Sequence, residues 1–480
     1  MKREFIIRQF RNIGVDYPEK LLLNQFDEQY EFGSLVAIIG QNNTGKSNLL
    51  QAISHFNKDF YNENQSTEIS LTFTLNNGET ITKIVYSTGH FDLQTKFELN
   101  NIPISESDVN ELNIHPTIKR QVNHINIYEY NEKDFINFTN QDFKIRTNRI
   151  TQSSLLKCLF YDNPAFLQEF TGCDFGSKVE TTKYLKEANH CLVTIMEKFN
   201  DLFFNNQYSF SLKIELQADY LNLILVENDK QVSFDEQSVG FKWFFKFVLN
   251  LSSPSFFEKG DIILIDEPAV NLHIRSILQL QKYLREFAIE NGVTIVFSTH
   301  SPFLLNIHYL DEIRIMSKIE NRAHISNFFY ALNEEDTNVV QFIEEAITSD
   351  RNLIKEKYSK YIFVENVFDY VVLSYFNTHL NFTDKLSFLP FNGFHKTPDL
   401  LLKHIVSIDE KPVFLLTDSV YSRYLKSHQH IKVYSLDQSF RNEKFYQEII
   451  YNRYKYDIKH TGVLSVYYIK ELFKQMIENF

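Results

Sequence analysis

Short apolar runs, each bounded by polar stretches, set the rhythm of this chain. Residues 2–8 and 34–39 read as strands, and the second, Ser-Leu-Val-Ala-Ile-Ile, is the continuous apolar run of a buried parallel strand. A glycine-containing loop follows, and then Ser47–Ile53 reads as a helix. Over 68–103 polar positions alternate with β-branched or aromatic ones, and Asn76-Asn77-Gly78 supplies a hairpin turn, which predicts an antiparallel β lobe. From about 150 to 205 the period becomes helical: Leu155, Leu156, Leu159 and Phe160 recur at three-to-four spacing, as do Leu192, Ile195, Met196 and Phe199. Residues 208–226 return to a strand pattern. A strand–helix–strand run is expected over 261–265, 274–288 and 293–298.

Residues 319–350 thin into polar, acidic sequence and mark a domain boundary. Past it, strands at 361–364, 386–389, 413–416 and 432–435 alternate with helical stretches at 367–376, 398–406 and 444–454. Such alternation predicts a second, smaller α/β unit. The expected division is therefore residues 1–345, with a helical insertion at about 150–205, and residues 355–480.

Composition narrows the class. Of 480 residues 43% are apolar and 23% charged, and 45 Phe and 26 Tyr suffice for a large core. No run of about 18 uncharged apolar residues exists, since even Trp243–Leu249 is broken by Lys246. The N-terminus enters a strand-like run without a signal-peptide core, so a cytoplasmic protein with no membrane contact is expected. Cys158, Cys173 and Cys191 form no CxxC pair, which argues against a disulfide or zinc framework. The net charge of −12 is uneven: residues 351–480 carry 18 Lys and Arg against 14 Asp and Glu, residues 1–350 carry 31 against 47. Any nucleic-acid contact must then be local. Lys144, Arg146 and Arg149 form one candidate patch, and Arg453, Lys455 and Lys459 with Tyr451 and Tyr454 another.

The chemistry concentrates in three motifs. Gly40-Gln41-Asn42-Asn43-Thr44-Gly45-Lys46-Ser47 satisfies GxxxxGK[ST], between a strand and a helix. There backbone N–H groups can wrap a β-phosphate, Lys46 can bridge β- and γ-phosphates, and the Ser47 hydroxyl can face Mg²⁺. ATP and Mg²⁺ are thus the expected ligands, with Gly40, Asn42, Asn43, Thr44, Gly45, Lys46, Ser47 and Asn48 around the nucleotide. In Asp261-Ile-Ile-Leu-Ile-Asp266-Glu267-Pro268 a hydrophobic strand ends in acids. Asp266 can hold Mg²⁺ through water, and Glu267 is placed to polarise the attacking water. Phe297-Ser298-Thr299-His300-Ser301-Pro302 ends another buried strand, with His300 as a γ-phosphate sensor.

Together these residues resemble the ABC-type ATPase heads of the RecF/SMC class, and within it the overcoming-lysogenization-defect (OLD) ATPases with a C-terminal TOPRIM domain. Phe10-Arg11-Asn12-Ile13-Gly14 and Leu272-His273 add to the likeness. It implies an α/β fold: a P-loop head with a mixed sheet, antiparallel β lobe and helical insertion, followed by a smaller TOPRIM-like unit. It also implies that Arg11 lies near the nucleotide and that Asn271–His273 acts as a D-loop. Gln237-Ser238-Val239-Gly240-Phe241-Lys242-Trp243-Phe244-Phe245, with Ser238 28 residues before Asp266, resembles a divergent signature motif. By that resemblance Ser238 and Gly240 touch the γ-phosphate held by a second subunit, so hydrolysis needs a head-to-head homodimer or higher homo-oligomer.

The C-terminal pattern departs from the resemblance. Tyr361-Ile-Phe-Val-Glu365-Asn366 has Asn where TOPRIM domains carry Gly, and Thr417-Asp418-Ser419-Val420 has Val in place of a second Asp. Glu365 and Asp418 remain as metal candidates, and Asp437 or Glu443 could supply the lost ligand. The favoured expectation is a degenerate, non-cleaving unit on an ATPase that senses or regulates within a bacterial antiphage system and controls a separate effector protein. The alternative is a self-contained, ATP-regulated DNA endonuclease. A RecF-like repair ATPase ranks last, because residues 150–205 show no sustained heptads.

Overall fold

A computed structural model describes residues 1–24, 32–57, 67–87, 93–130, 139–160, 163–204, 210–251, 257–268, 272–306, 309–327, 360–365, 367–383, 385–390, 413–416, 425, 431–452 and 457–478. Its centre is a six-stranded mixed sheet. The order is Arg322–Ser326, Ile313–Ile319, Ser34–Ile39, Thr294–Ser298, Ile262–Ile265, Ile127–Glu129. All neighbours run parallel except the first pair. Every residue of Ser34–Ile39, Ile262–Ile265 and Thr294–Ser298 is buried, as their apolar runs, polar at most at their ends, require of strands covered on both faces.

The alternation of side chains along these strands divides the interior in two. Val36, Ile38, Ile262, Leu264 and Val296 face one core, shared with Phe5, Ile7 and the helix Lys46–His55. Leu35, Ala37, Ile39, Ile263, Ile265, Ile295 and Phe297 face the other. The first core is roofed by a six-stranded antiparallel sheet in the order Glu19–Leu22, Lys2–Arg8, Thr67–Thr74, Thr80–Ser87, Leu93–Leu99, Ile102–Ile104. Arg3, fully buried, ties this sheet to the central one. Its Nη2 donates to Thr294 Oγ1 at 2.7 Å, and its guanidinium lies 4.6 Å over the Phe32 ring.

The second core holds the helix Ile274–Asn291 and a helical segment of Ser154–Leu159, Pro164–Gly172 and Lys178–Phe204. That last helix is stapled to the strand Phe210–Gln217 by two asparagines. Asn189 exchanges hydrogen bonds with the Ile214 backbone at 3.0 and 2.8 Å, and Asn200 with that of Phe210 at 2.8 and 3.0 Å. Tyr220–Glu227 is the middle strand of this third sheet, pairing with Phe210–Gln217 on one side and with Lys230–Val232 and Lys144–Arg146 on the other.

A four-stranded, wholly parallel sheet completes the fold, in the order Leu386–Pro390, Lys360–Val364, Val413–Leu416, Lys432–Ser435. The helices Val367–His379, Lys444–Asn452 and Val463–Glu478 accompany it. It joins the second core, and the Leu310 N–H donates to the Tyr370 hydroxyl at 2.9 Å.

The expected antiparallel lobe, helical segment and both strand–helix alternations are present. The helix expected at 398–406 lies outside the described residues. The polar stretch begins later than its composition implies, because Arg322–Ser326 is a strand whose Ala323 alone is fully buried. Ile127–Glu129 escapes periodicity altogether: three residues are too few to show one.

Arg285, on the helix Ile274–Asn291, forms a buried two-pronged ion pair with Glu312 (3.0 Å from Nε) and lies 3.9 Å over the Tyr309 ring. Arg285→Ala removes the two-pronged partner of the buried Glu312 carboxylate, and should lower stability by about 3 kcal/mol. Urea unfolding checks this, and an unchanged midpoint would contradict it.

Candidate functional site

Parallel pairing aligns the C-terminal ends of three neighbouring strands. Ile265 lies opposite Phe297, and Ser298 opposite Ile38, so Gly40, Asp266 and Thr299 leave the sheet along one edge. The loop 40–47 wraps this edge and runs into the helix Lys46–His55, whose first turn carries no acidic residue to oppose an anion. Gly40 (φ +156°) and Gly45 (φ +108°) make the wrap possible. A Cβ on Gly40 would stand 2.2 Å from the Met316 carbonyl oxygen, and one on Gly45 3.2 Å from the Asn12 side chain. Asn43 adopts φ +64°, and Thr44 Oγ1 donates to the Gln41 carbonyl at 2.9 Å.

Lys46 is buried, with its ammonium donating to the Gly40 and Gln41 carbonyls at 3.0 Å each. Burial lowers its pKa, while Glu267 and then Asp266 oppose the shift. Both carboxylates therefore lie close enough to act on this charge. Ser47 is exposed beside it, and Asn42 is exposed at the loop crest. Behind the loop, Arg11 Nη1 donates to Asn48 Oδ1 at 2.6 Å, and Asn48 Nδ2 donates to Asn12 Oδ1 at 2.9 Å. Arg11 is thereby tied to the helix that follows the phosphate loop.

Across the edge, one hydroxyl organises both acids. Ser298 Oγ donates to Asp266 Oδ1 and accepts the Glu267 N–H at 3.0 Å. Glu267 occupies the left-handed region at φ +50°, which turns the chain sharply after Asp266. Its carboxylate accepts the His300 N–H at 3.2 Å, and its other oxygen lies 3.1 Å from His300 Nε2. Asp266 is exposed at the strand end, with the Ser47 hydroxyl also open. Carboxylate and hydroxyl oxygens are the donors Mg²⁺ takes, so the residues present suit that ion.

Of the residues singled out in the sequence, Gly40–Asn48, Arg11, Asp266, Glu267 and His300 belong to this edge. Ser238 and Gly240 stand apart. Ser238 is exposed and caps the helix Val239–Leu251 through its Oγ, 3.1 Å from the Phe241 N–H, while Gly240 is buried in the first turn. Leu272 is half-buried and His273 exposed; Asn271 lies outside the described residues.

Glu365 ends the strand Lys360–Val364, where its carboxylate lies 3.4 Å from Arg441 Nη2. Asp418 lies outside the described residues. Asp437 accepts the Ser439 N–H at 2.8 Å as the cap of a short turn, and Glu443 follows that turn. Lys144 and Arg146 both pack on Tyr220, at 4.6 and 5.6 Å from its ring. Arg453, Tyr454 and Lys455 lie outside the described residues, and Lys459 is exposed, 3.9 Å from Asp457. Sequence reasoning assigned no role to Ser298 or Asn12. Their only signals are polar residues inside motifs whose other members carry the chemistry.

A family model described as "AAA domain, putative AbiEii toxin, Type IV TA system" matches residues 35–306. Among solved structures, the SMC head domain from Thermotoga maritima is similar at 14% identity and a TM-score of 0.36, covering 68% of this chain and 98% of that one. An Smc head domain with an extended coiled coil, bound to the C-terminal domain of ScpA and derived from Pyrococcus furiosus, is similar at 13% identity and a TM-score of 0.39, covering 68% and 95%. A search of curated proteins finds no match.

Ser298→Ala removes the hydroxyl shared by Asp266 and Glu267. ATP turnover should fall about tenfold with nucleotide affinity nearly unchanged, and Ser298→Thr should restore part of the loss. Steady-state kinetics with a nucleotide-binding titration check it. Wild-type turnover in the alanine variant would show that the hydroxyl positions nothing.

Proposed function

The chain belongs to the AAA-domain family of putative AbiEii toxins of type IV toxin–antitoxin systems, and from that premise we propose that it is an ATP-hydrolysing switch working as a homodimer of heads. The observation that carries this reading is the convergence of Lys46, Asp266, Glu267 and His300 on one sheet edge. Gly40–Ser47 would cradle the phosphates, and Lys46 would leave the loop carbonyls to meet them. Ser47 and Asp266 would hold Mg²⁺, which when bound offsets charge on the β- and γ-phosphates. Glu267 would take a proton from the attacking water, and His300, already on its carboxylate, would hold it in place and read the γ-phosphate.

Dimerisation supplies the missing half of the site. Ser238 is exposed at the start of a 13-residue helix and hydrogen-bonds only within its own turn among the described residues. A second copy could bring that helix N-terminus to the γ-phosphate. Gly240, buried in the same turn, would then let the backbone approach rather than touch the ligand itself. ATP binding would close two heads on each other, and hydrolysis would release them.

The same reading divides the chain into a head, residues 1–345, and a smaller TOPRIM-like unit, residues 355–480, related to OLD-type proteins. Support comes from the separate parallel sheet and from a family match ending at residue 306. The family's toxin description fits a defence role in the cytoplasm, against phage or as a toxin, exerted through a separate effector protein. No helix of the described residues is long and apolar enough to cross a membrane. Among the described residues, the basic pair Lys144 and Arg146 around Tyr220 is one local patch that nucleic acid could use.

Lys46→Ala should abolish ATP turnover, and Glu267→Gln should hold an ATP-bound dimer while turnover drops at least about a hundredfold. Phosphate release and light scattering with and without ATP report both. Turnover at the wild-type rate in Glu267→Gln would remove this residue from the chemistry. A protein that stays monomeric with ATP in that variant would remove the dimer.

A further inference from the structure

The TOPRIM resemblance calls for Mg²⁺ at the strand end that carries Glu365, and the side chains there do not suit it. Among the described residues two carboxylates meet at this point: Glu365, just past Lys360–Val364, and Asp369, in the first turn of the helix Val367–His379. Between them lies a guanidinium. Arg441 Nε donates to Asp369 Oδ1 at 3.0 Å, and its Nη2 reaches both Asp369 Oδ2 and Glu365 Oε2, the latter at 3.4 Å. The Tyr446 hydroxyl donates to Asp369 Oδ1 at 2.7 Å. Asp369 is 1% exposed, so its charge has exchanged water for this fork and phenol.

The backbone that carries Arg441 is fixed by a residue the sequence offered as a replacement metal ligand. Asp437 caps the turn Gln438–Asn442 by accepting the Ser439 N–H, and Arg441 projects from that turn. A guanidinium stays protonated at any pH a folded protein meets, and this one donates to both Asp369 and Glu365. The guanidinium is thus a permanent cation. A divalent ion at Glu365 would have to stand against it, or expel it and leave a half-buried arginine and the buried Asp369 without each other.

We infer that Arg441 is the resident cation of the Glu365–Asp369 pair, standing where a divalent metal would bind, so that this strand end takes no metal and cleaves no phosphodiester. Arg441 is a positioning residue here: it joins the strand end, the helix Val367–His379 and the turn before Lys444–Asn452. The inference rests on the TOPRIM-like reading of this unit and is independent of the ATP site.

The test is Mn²⁺ binding to the full chain without nucleotide, followed by the paramagnetic signal of free Mn²⁺, with ATP turnover measured in parallel. Wild type and Glu365→Gln should bind equal Mn²⁺. Arg441→Met should gain one site, at least tenfold tighter than any at that end of the wild type, and Mn²⁺ should raise its melting temperature. A Mn²⁺ ion bound by wild type and lost in Glu365→Gln overturns the inference, as does an Arg441→Met protein that gains none. Should Arg441→Met fail to fold, the wild-type comparison with Glu365→Gln decides alone. Turnover retained in Glu365→Gln keeps either result separate from the ATPase reading.

Discussion

Strands that pair in parallel point their C-terminal ends toward one edge of the sheet, and that geometric fact places the chemistry of this protein. Ser34–Ile39, Thr294–Ser298 and Ile262–Ile265 are neighbours in register, buried throughout, and each passes directly into a polar segment. The phosphate loop, the two acids and the histidine meet because their strands stop at one edge, not because they are close in sequence. The apolar ladders hold this edge rigid while the loops remain free to carry polar side chains. Polar groups at the edge then find each other. One serine hydroxyl serves both acids, and one histidine holds the second.

Much of this was legible in the amino-acid sequence, for a physical reason. A phosphate cradle needs glycine where the backbone turns left-handed or meets another chain segment, so Gly40 and Gly45 announce themselves. A hydrophobic strand ending in Asp266-Glu267 announces itself by contrast. Ser298 does not, because its role exists only once two strands lie side by side; its partners are 31 and 32 positions away. The strand Ile127–Glu129 was illegible for a related reason: its edge position is conferred by Ile262–Ile265 and not by its own three residues.

The C-terminal sheet shows a charge whose partner the sequence hides. Glu365 at the end of an apolar strand reads as a metal ligand, since a carboxylate there has the right chemistry and the right company in related patterns. What answers it is Arg441, 76 positions on, delivered by a turn that no periodicity marks. A local pattern identifies a charge but not its counter-charge. Nor does local pattern show that the Leu310 N–H donates to the Tyr370 hydroxyl, or that residues on both sides of the polar stretch share one apolar cluster.

The strand order carries a consequence for how such a chain comes off the ribosome. Ser34–Ile39 is made early, yet both its neighbours in the sheet, Thr294–Ser298 and Ile313–Ile319, are made late, and Ser34 waits 260 positions for Thr294. Until then a six-residue apolar strand has neither edge satisfied, the condition under which nascent chains pair wrongly with one another. The antiparallel strands Lys2–Arg8, Thr67–Thr74 and Thr80–Ser87 are complete much sooner and border the same core. They can shelter that strand during synthesis, which gives the N-terminal sheet a part in the birth of the protein as well as in its finished form.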